Sequence, residues 1–156
     1  MTKAEKYFRY LIPYAFFGTS RTKDIVKVNP VTALSRKDAD EVFISVYDYN
    51  EASFHFHELK NIDECLACKD NGLISWINID GLRKTDVDSI SHQFNIHQLI
   101  TEDILSVDQR PKMDEVENIF YCLLNMLYWD EITQTVDQEQ VSIVLGNGFI
   151  ITFQED

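Results

Sequence analysis

Residues 141–153 read VSIVLGNGFIITF, with Asn147-Gly148 standing between two runs rich in β-branched side chains. A pair of this kind between two such runs is the strongest short-range hairpin signal, because glycine reaches positive φ without steric cost. The chain therefore closes on two antiparallel strands. EVFISVYDY (41–49) alternates Val42, Ile44 and Val46 against Phe43, Ser45 and Tyr47, and SFHFHEL (53–59) alternates too, so these read as strands joined through NEAS. LISWINID (73–80) is apolar on both faces and predicts a strand covered from two sides. NIFYCLLNMLYW (118–129) is a long apolar run beside polar punctuation and before the hairpin, which favours a buried strand.

Helical spacing fills the middle of the chain. NIDECLACKDNG (61–72) opens with Asn61 and Glu64 at capping-box separation and closes at Gly72, which predicts a short helix. TDVDSISHQF (85–94) puts Val87, Ile90 and Phe94 on one face, with Thr85 as its expected N-cap. IHQLITEDIL (96–105) aligns Ile96, Leu99, Ile100 and Ile104 at i, i+3, i+4 and i+8. At about 100° per residue, Asp103 falls on that same arc between Leu99 and Ile96, with Glu102 on its flank. The expected architecture is a single α/β domain over residues 39–156, a mixed sheet covered by helices on both faces (α/β/α). Residues 1–38 read as a basic and aromatic segment packing on it, with AEKYFRYLI (4–12) as an amphipathic helix.

Composition narrows the function. With 156 residues, 45% of them hydrophobic, the chain can bury a sizeable core. Its net charge of −12 is split: residues 1–27 hold six bases against two acids, whereas from residue 97 onward twelve acids face only Arg110 and Lys112. Nucleic acid is excluded as a partner, since binding it depends on neutralising phosphates with Lys and Arg. Cations remain compatible. Three cysteines make no disulfide framework and suit a reducing compartment. YLIPYAFFG (10–18) is too short and too broken by Pro13 for a signal peptide, and no run approaches the ~18–20 apolar residues that cross a bilayer. As given, the chain is expected to be soluble.

Two constellations could hold a metal. His55 and His57, two apart on a strand, point to one face, and Cys65-x-x-Cys68 follows at a spacing that can chelate zinc. Against this, Cys65 shares the apolar face of its own helix with Ile62 and Leu66, where a cysteine is a small hydrophobe. The second constellation is Glu102 with Asp103. A carboxylate on an apolar arc needs a partner, either backbone N–H groups, a salt bridge to Arg110, or a hard divalent cation such as Mg²⁺ or Ca²⁺. Neither a Gly-x-Ser-x-Gly elbow nor a glycine-rich phosphate loop occurs, so nothing indicates an enzyme.

From Trp76 to Glu155, the segments WINIDGL, FNIHQLITEDILSVDQRPKMDEVENIFYCLLNMLYWD and EQVSIVLGNGFIITFQE closely resemble the N-terminal cytoplasmic domain of the CorA-type magnesium transporter family. The IHxLxxEDIL helix, the DQRPK turn and the EQVS-to-FQE hairpin carry the likeness. Gln98, where many relatives have proline, departs from it only at the helix start. The resemblance implies a regulatory domain of a homopentameric channel for Mg²⁺, also passing Co²⁺ and Ni²⁺, at the cytoplasmic face of the membrane. Stalk helices and two membrane spans would follow beyond Asp156, so these residues could not transport by themselves. It also implies that Glu102 and Asp103 offer oxygens to a cation at a subunit boundary, with stalk acids completing the site and binding weak in the isolated domain. The alternatives are a stand-alone α/β interaction module that has lost transport, and a small zinc protein built on His55, His57, Cys65 and Cys68.

Overall fold

Seven strands form one mixed sheet in the order β2-β1-β3-β7-β6-β5-β4. They are β1 (Phe43–Tyr49), β2 (Phe54–Leu59), β3 (Ile74–Asp80), β4 (Lys112–Val116), β5 (Ile119–Asp130), β6 (Thr135–Gly146) and β7 (Phe149–Gln154). The computed structural model describes residues 37–107 and 109–155, and one compact unit runs from Ser35 to Asp156. The helix expected at 4–12 and the packing expected of residues 1–38 lie outside the described residues.

The chain order explains the topology. The β1–β2 hairpin turns on Asn50, whose Oδ1 accepts from the backbone N–H of Ala52 and Ser53, each at 2.8 Å. β3 then returns beside β1. Helices α1 (Lys84–Gln93) and α2 (Gln98–Leu105) carry the chain to the far edge, from which β4 to β7 meander back. β7 lands parallel to β3, the one parallel pair among the described strands. The expected helices between early and late strands are thus the crossover that makes the sheet mixed.

Alternation in the strands puts one side chain in two on the core face. Ile44 and Val46 of β1, Ile77 and Ile79 of β3, Tyr121 and Leu123 of β5 and Ile151 and Phe153 of β7 are all buried. Val87, Ile90 and Phe94 of α1 and Ile100 and Ile104 of α2 meet them, joined by Ile62, Cys65 and Cys68. The fold is the expected α/β class. Among the described residues the helices lie on this one face. The other face carries an aromatic patch in which Tyr47 lies 5.1 Å from both Phe56 and Trp76, and Trp76 remains exposed. β3 is therefore covered on one side rather than two by the described residues, and Trp76 satisfies its indole N–H through Thr152 Oγ1 at 3.0 Å.

Three local expectations change. The segment after Asn61 is a 3-10 helix, Ile62–Cys68, and Asn61 makes no side-chain cap bond to the backbone; its Nδ2 donates instead to Glu64 Oε1 at 3.2 Å. The N-cap of α1 is Arg83 rather than Thr85, without a side-chain cap bond of its own, and the Lys84 N–H donates instead to Asp38 Oδ1 at 2.9 Å. β5 is a strand, as expected, yet only its first half is buried. β4 pairs with β5 as far as Leu123, and β7 pairs with β6 from Val141 onward. Between them residues 125–140 pair only with each other among the described strands, leaving Leu127, Trp129, Ile132 and Val136 exposed.

Candidate functional site

α2 is short and well specified. His97 is its N-cap, with Nδ1 accepting from Leu99 N–H at 3.2 Å, and Gln98 bonds Glu102 Oε1 from one turn away at 3.1 Å. Gln98 occupies the first helical position, where proline is also tolerated because that N–H has no intrahelical acceptor. Ile100, Thr101 and Ile104 are the buried side. The apolar face is thus rotated from the expected one. Leu99 is 59% exposed, and it shares its flank of the helix with Asp103.

Asp103 is neither buried alone nor paired with Arg110. Its Oδ2 accepts from Lys112 Nζ at 2.6 Å, with the carboxylate side chain 25% exposed. Arg110 is nearer in sequence, but Lys112 is the residue that strand β4 fixes under α2. Lys112 and Asp114 alternate on one face of β4, and Asp114 stands opposite Tyr121 across the β4–β5 ladder. Lys112 Nζ lies 3.9 Å from Asp114 Oδ2 and 5.9 Å from the centre of the Tyr121 ring. Neither Lys112 nor Asp114 was among the residues expected at a site; the Lys of DQRPK, two residues before Asp114, was the available signal.

The histidine and cysteine set does not gather. Cys65 and Cys68 point into the core from the 3-10 helix, while His55 and His57 lie on edge strand β2. His57 Nε2 faces buried Asp48 at 3.7 Å, and Asp48 also accepts from Ser75 Oγ and, at 3.2 Å, from Asn71 Nδ2. Among the described residues no three of His, Cys, Asp and Glu come together as a metal group. Burial, the nearby Cys68 and Glu64 push the Cys65 thiol up to about 12, and burial with Asp48 pushes Cys68 to about 11. Zinc needs thiolates, which this environment opposes. Both thiols should resist iodoacetamide in the native protein near pH 8 and react once urea is added, as mass spectrometry would record. The sign for stability follows: an unfolded thiol ionises near 9 while the folded ones do not, so these cysteines stabilise below pH 9 and that contribution falls as pH rises toward 11 and 12.

The family model described as CorA-like Mg2+ transporter protein matches residues 71–156, more than half of the chain, and the chain belongs to that family. The cobalt/magnesium transport protein CorA of Thermotoga maritima is 34% identical over 120 residues, which cover 76% of this chain and 34% of that protein. The chain thus spans about a third of the length of that relative. The soluble domain of CorA from Methanocaldococcus jannaschii shares the fold with a TM-score of 0.50 at 11% identity, over 78% of this chain and 43% of that one. The cytoplasmic domain of ZntB from Vibrio parahaemolyticus does so with a TM-score of 0.53 at 12% identity, over 72% and 43%. No helix among the described residues is long and apolar enough to cross a membrane.

Proposed function

We propose that this chain is the cytoplasmic, divalent-cation-sensing domain of a CorA-like Mg²⁺ and Co²⁺ transporter, non-enzymatic and unable to transport on its own. The observation that supports it is the flank of α2, where Leu99 is exposed and Asp103 beside it is part-exposed. An apolar residue beside a carboxylate at an open position suits a boundary between subunits, where a cation bridges Asp103 and Glu102 to acids of the next chain in a homopentamer. Mg²⁺ bound there would stabilise the closed assembly, and its loss would leave carboxylates repelling one another. Hard cations take carboxylate oxygens and water, which is the chemistry that Glu102 and Asp103 offer.

With the partner acids absent, the isolated chain binds weakly. At a Mg²⁺ concentration equal to Kd, a melting curve should rise by about 1–2 °C. The increment should vanish in Asp103→Ala, compared with that variant's own metal-free baseline. A large rise that survives the substitution would remove Asp103 from the site.

A further inference from the structure

The β5–β6 hairpin runs on past its neighbours in the sheet, and the two strand sides it leaves open differ in chemistry. β4 pairs with β5 no further than Leu123, so residues 124–130 have a strand on one side only among the described residues. That stretch reads LNMLYWD, with no proline and no charge before Asp130. We propose that it is a docking edge for a second copy of this chain, residues 124–130 of the two copies pairing as antiparallel strands about a two-fold axis at Leu127. The proposal concerns a different surface from α2 and does not depend on the reading of Asp103.

In an antiparallel ladder every second residue turns its N–H and C=O to the same side, so this edge offers main-chain donors and acceptors to a further strand. Side chains decide which strand fits. Leu127 and Trp129 continue the face of Leu123, Leu124, Met126 and Tyr128 lie on the other, and all five are exposed. The matching strand must therefore be apolar on both faces and nearly uncharged. The other open strand sides among the described residues are polar: β2 carries His55, His57 and Glu58, and β4 carries Lys112, Asp114 and Glu115. Along β6, a two-fold placed at Asp137 or Gln138 sets acid opposite acid, which is destabilising, and Gln140 N–H already donates to Glu155 Oε2 at 3.4 Å. Residues 124–130 are their own best complement. With the axis at Leu127, Met126 meets Tyr128, Asn125 meets Trp129 and Leu124 meets Asp130. Two chains of net charge −12 repel as wholes, but Asp130 is the one charge in the paired stretch. Its two copies lie about 20 Å apart along the ladder, beyond the ~8–10 Å screening length at physiological ionic strength. Because both chains use the same patch, the contact closes at two and joins chains rather than building a ring.

Sedimentation of the 156-residue chain from roughly 5 to 500 µM, a range suited to a small and transient interface, tests this. The mass should rise from one chain toward two and stop there. Hydrogen exchange at the two extremes of concentration should show alternate amides of 124–130 slowed about tenfold once nine chains in ten are paired, with residues 135–139 unchanged. Leu127→Lys and Leu127→Glu each set like charges opposite one another across the axis, so each variant should stay monomeric. An equimolar mixture of the two should dimerise. Circular dichroism reports the folding of each variant, and the wild-type exchange pattern decides by itself where one fails to fold. A wild-type chain that stays monomeric throughout overturns the proposal, as does growth beyond two chains. Protection that falls on 135–139 instead of 124–130, or a mixture that behaves like its separate components, overturns it too.

Discussion

Replacing Phe94 with alanine is expected to cost about 3–5 kcal/mol of stability, a large share of what a domain of this size has. Phe94 ends α1 and is 2% exposed. Its ring meets Phe149 edge-on at 4.8 Å, joining α1 to the first residue of β7 at the centre of the sheet. Lys69 lies over the same ring at 5.9 Å while its Nζ donates to Gln93 O at 2.6 Å, so the ring also supports the C-terminal cap of the helix. Removing it opens a cavity against two elements at once. Phe94→Leu keeps most of the volume and should cost far less, about 1–1.5 kcal/mol. Urea unfolding midpoints measure both. Similar losses in the two variants would show that the site collapses around the smaller side chain and that packing there is not the cause.

Gly81→Ala is the second large effect, for a different reason. Gly81 sits at φ +87°, and a Cβ placed on it would lie 2.3 Å from the carbonyl oxygen of Glu41 and 3.2 Å from Ala39 Cβ. The left-handed backbone costs an alanine roughly 1–2 kcal/mol. The clash adds more, because the obstacle is backbone that is itself tied down. Ala39 N–H bonds Leu82 O at 2.9 Å, and Arg83 Nε bonds Ala39 O at 2.9 Å while its Nη2 reaches Asp40 O. Pushing residues 39–41 outward strains these bonds at about 1 kcal/mol each, for a total of about 2–4 kcal/mol. Gly72→Ala supplies the comparison, since Gly72 has φ +79° with nothing within 4 Å of the added carbon. It should cost the backbone penalty alone. Equal melting losses at the two positions would mean that the contact with Glu41 contributes nothing.

Much of this fold was legible before any coordinates. Val87, Ile90 and Phe94 fell on the buried face as their 3.6-residue spacing required, because a helix of fixed pitch leaves no other arrangement. The final hairpin formed around Asn147-Gly148, with Gly148 at φ +79°. The hairpin between β4 and β5 was less visible because Glu117 and Asn118 make its turn, both at positive φ, without a glycine to announce it. Burial along β5 could not be read from apolar content. Leu123 and Leu127 are the same residue type in the same strand, one buried and one exposed, because β4 and β7, which flank the β5–β6 hairpin, stop pairing before Leu127 is reached.

The candidate site divides along the same line. Sequence alone determined that Glu102 and Asp103 ride a short helix, that Asp103 lies near its apolar arc, and that the segments around it belong to a cation-transporter family, since local periodicity and motif order are properties of the chain itself. Only the tertiary structure decided which side of α2 meets the core, leaving Leu99 outside and Thr101 within. It alone chose Lys112 over the nearer Arg110 as the partner of Asp103, and brought Asp114 to the same ammonium. Those choices depend on where β4 places Lys112 relative to the helix, a tertiary placement that no local spacing encodes.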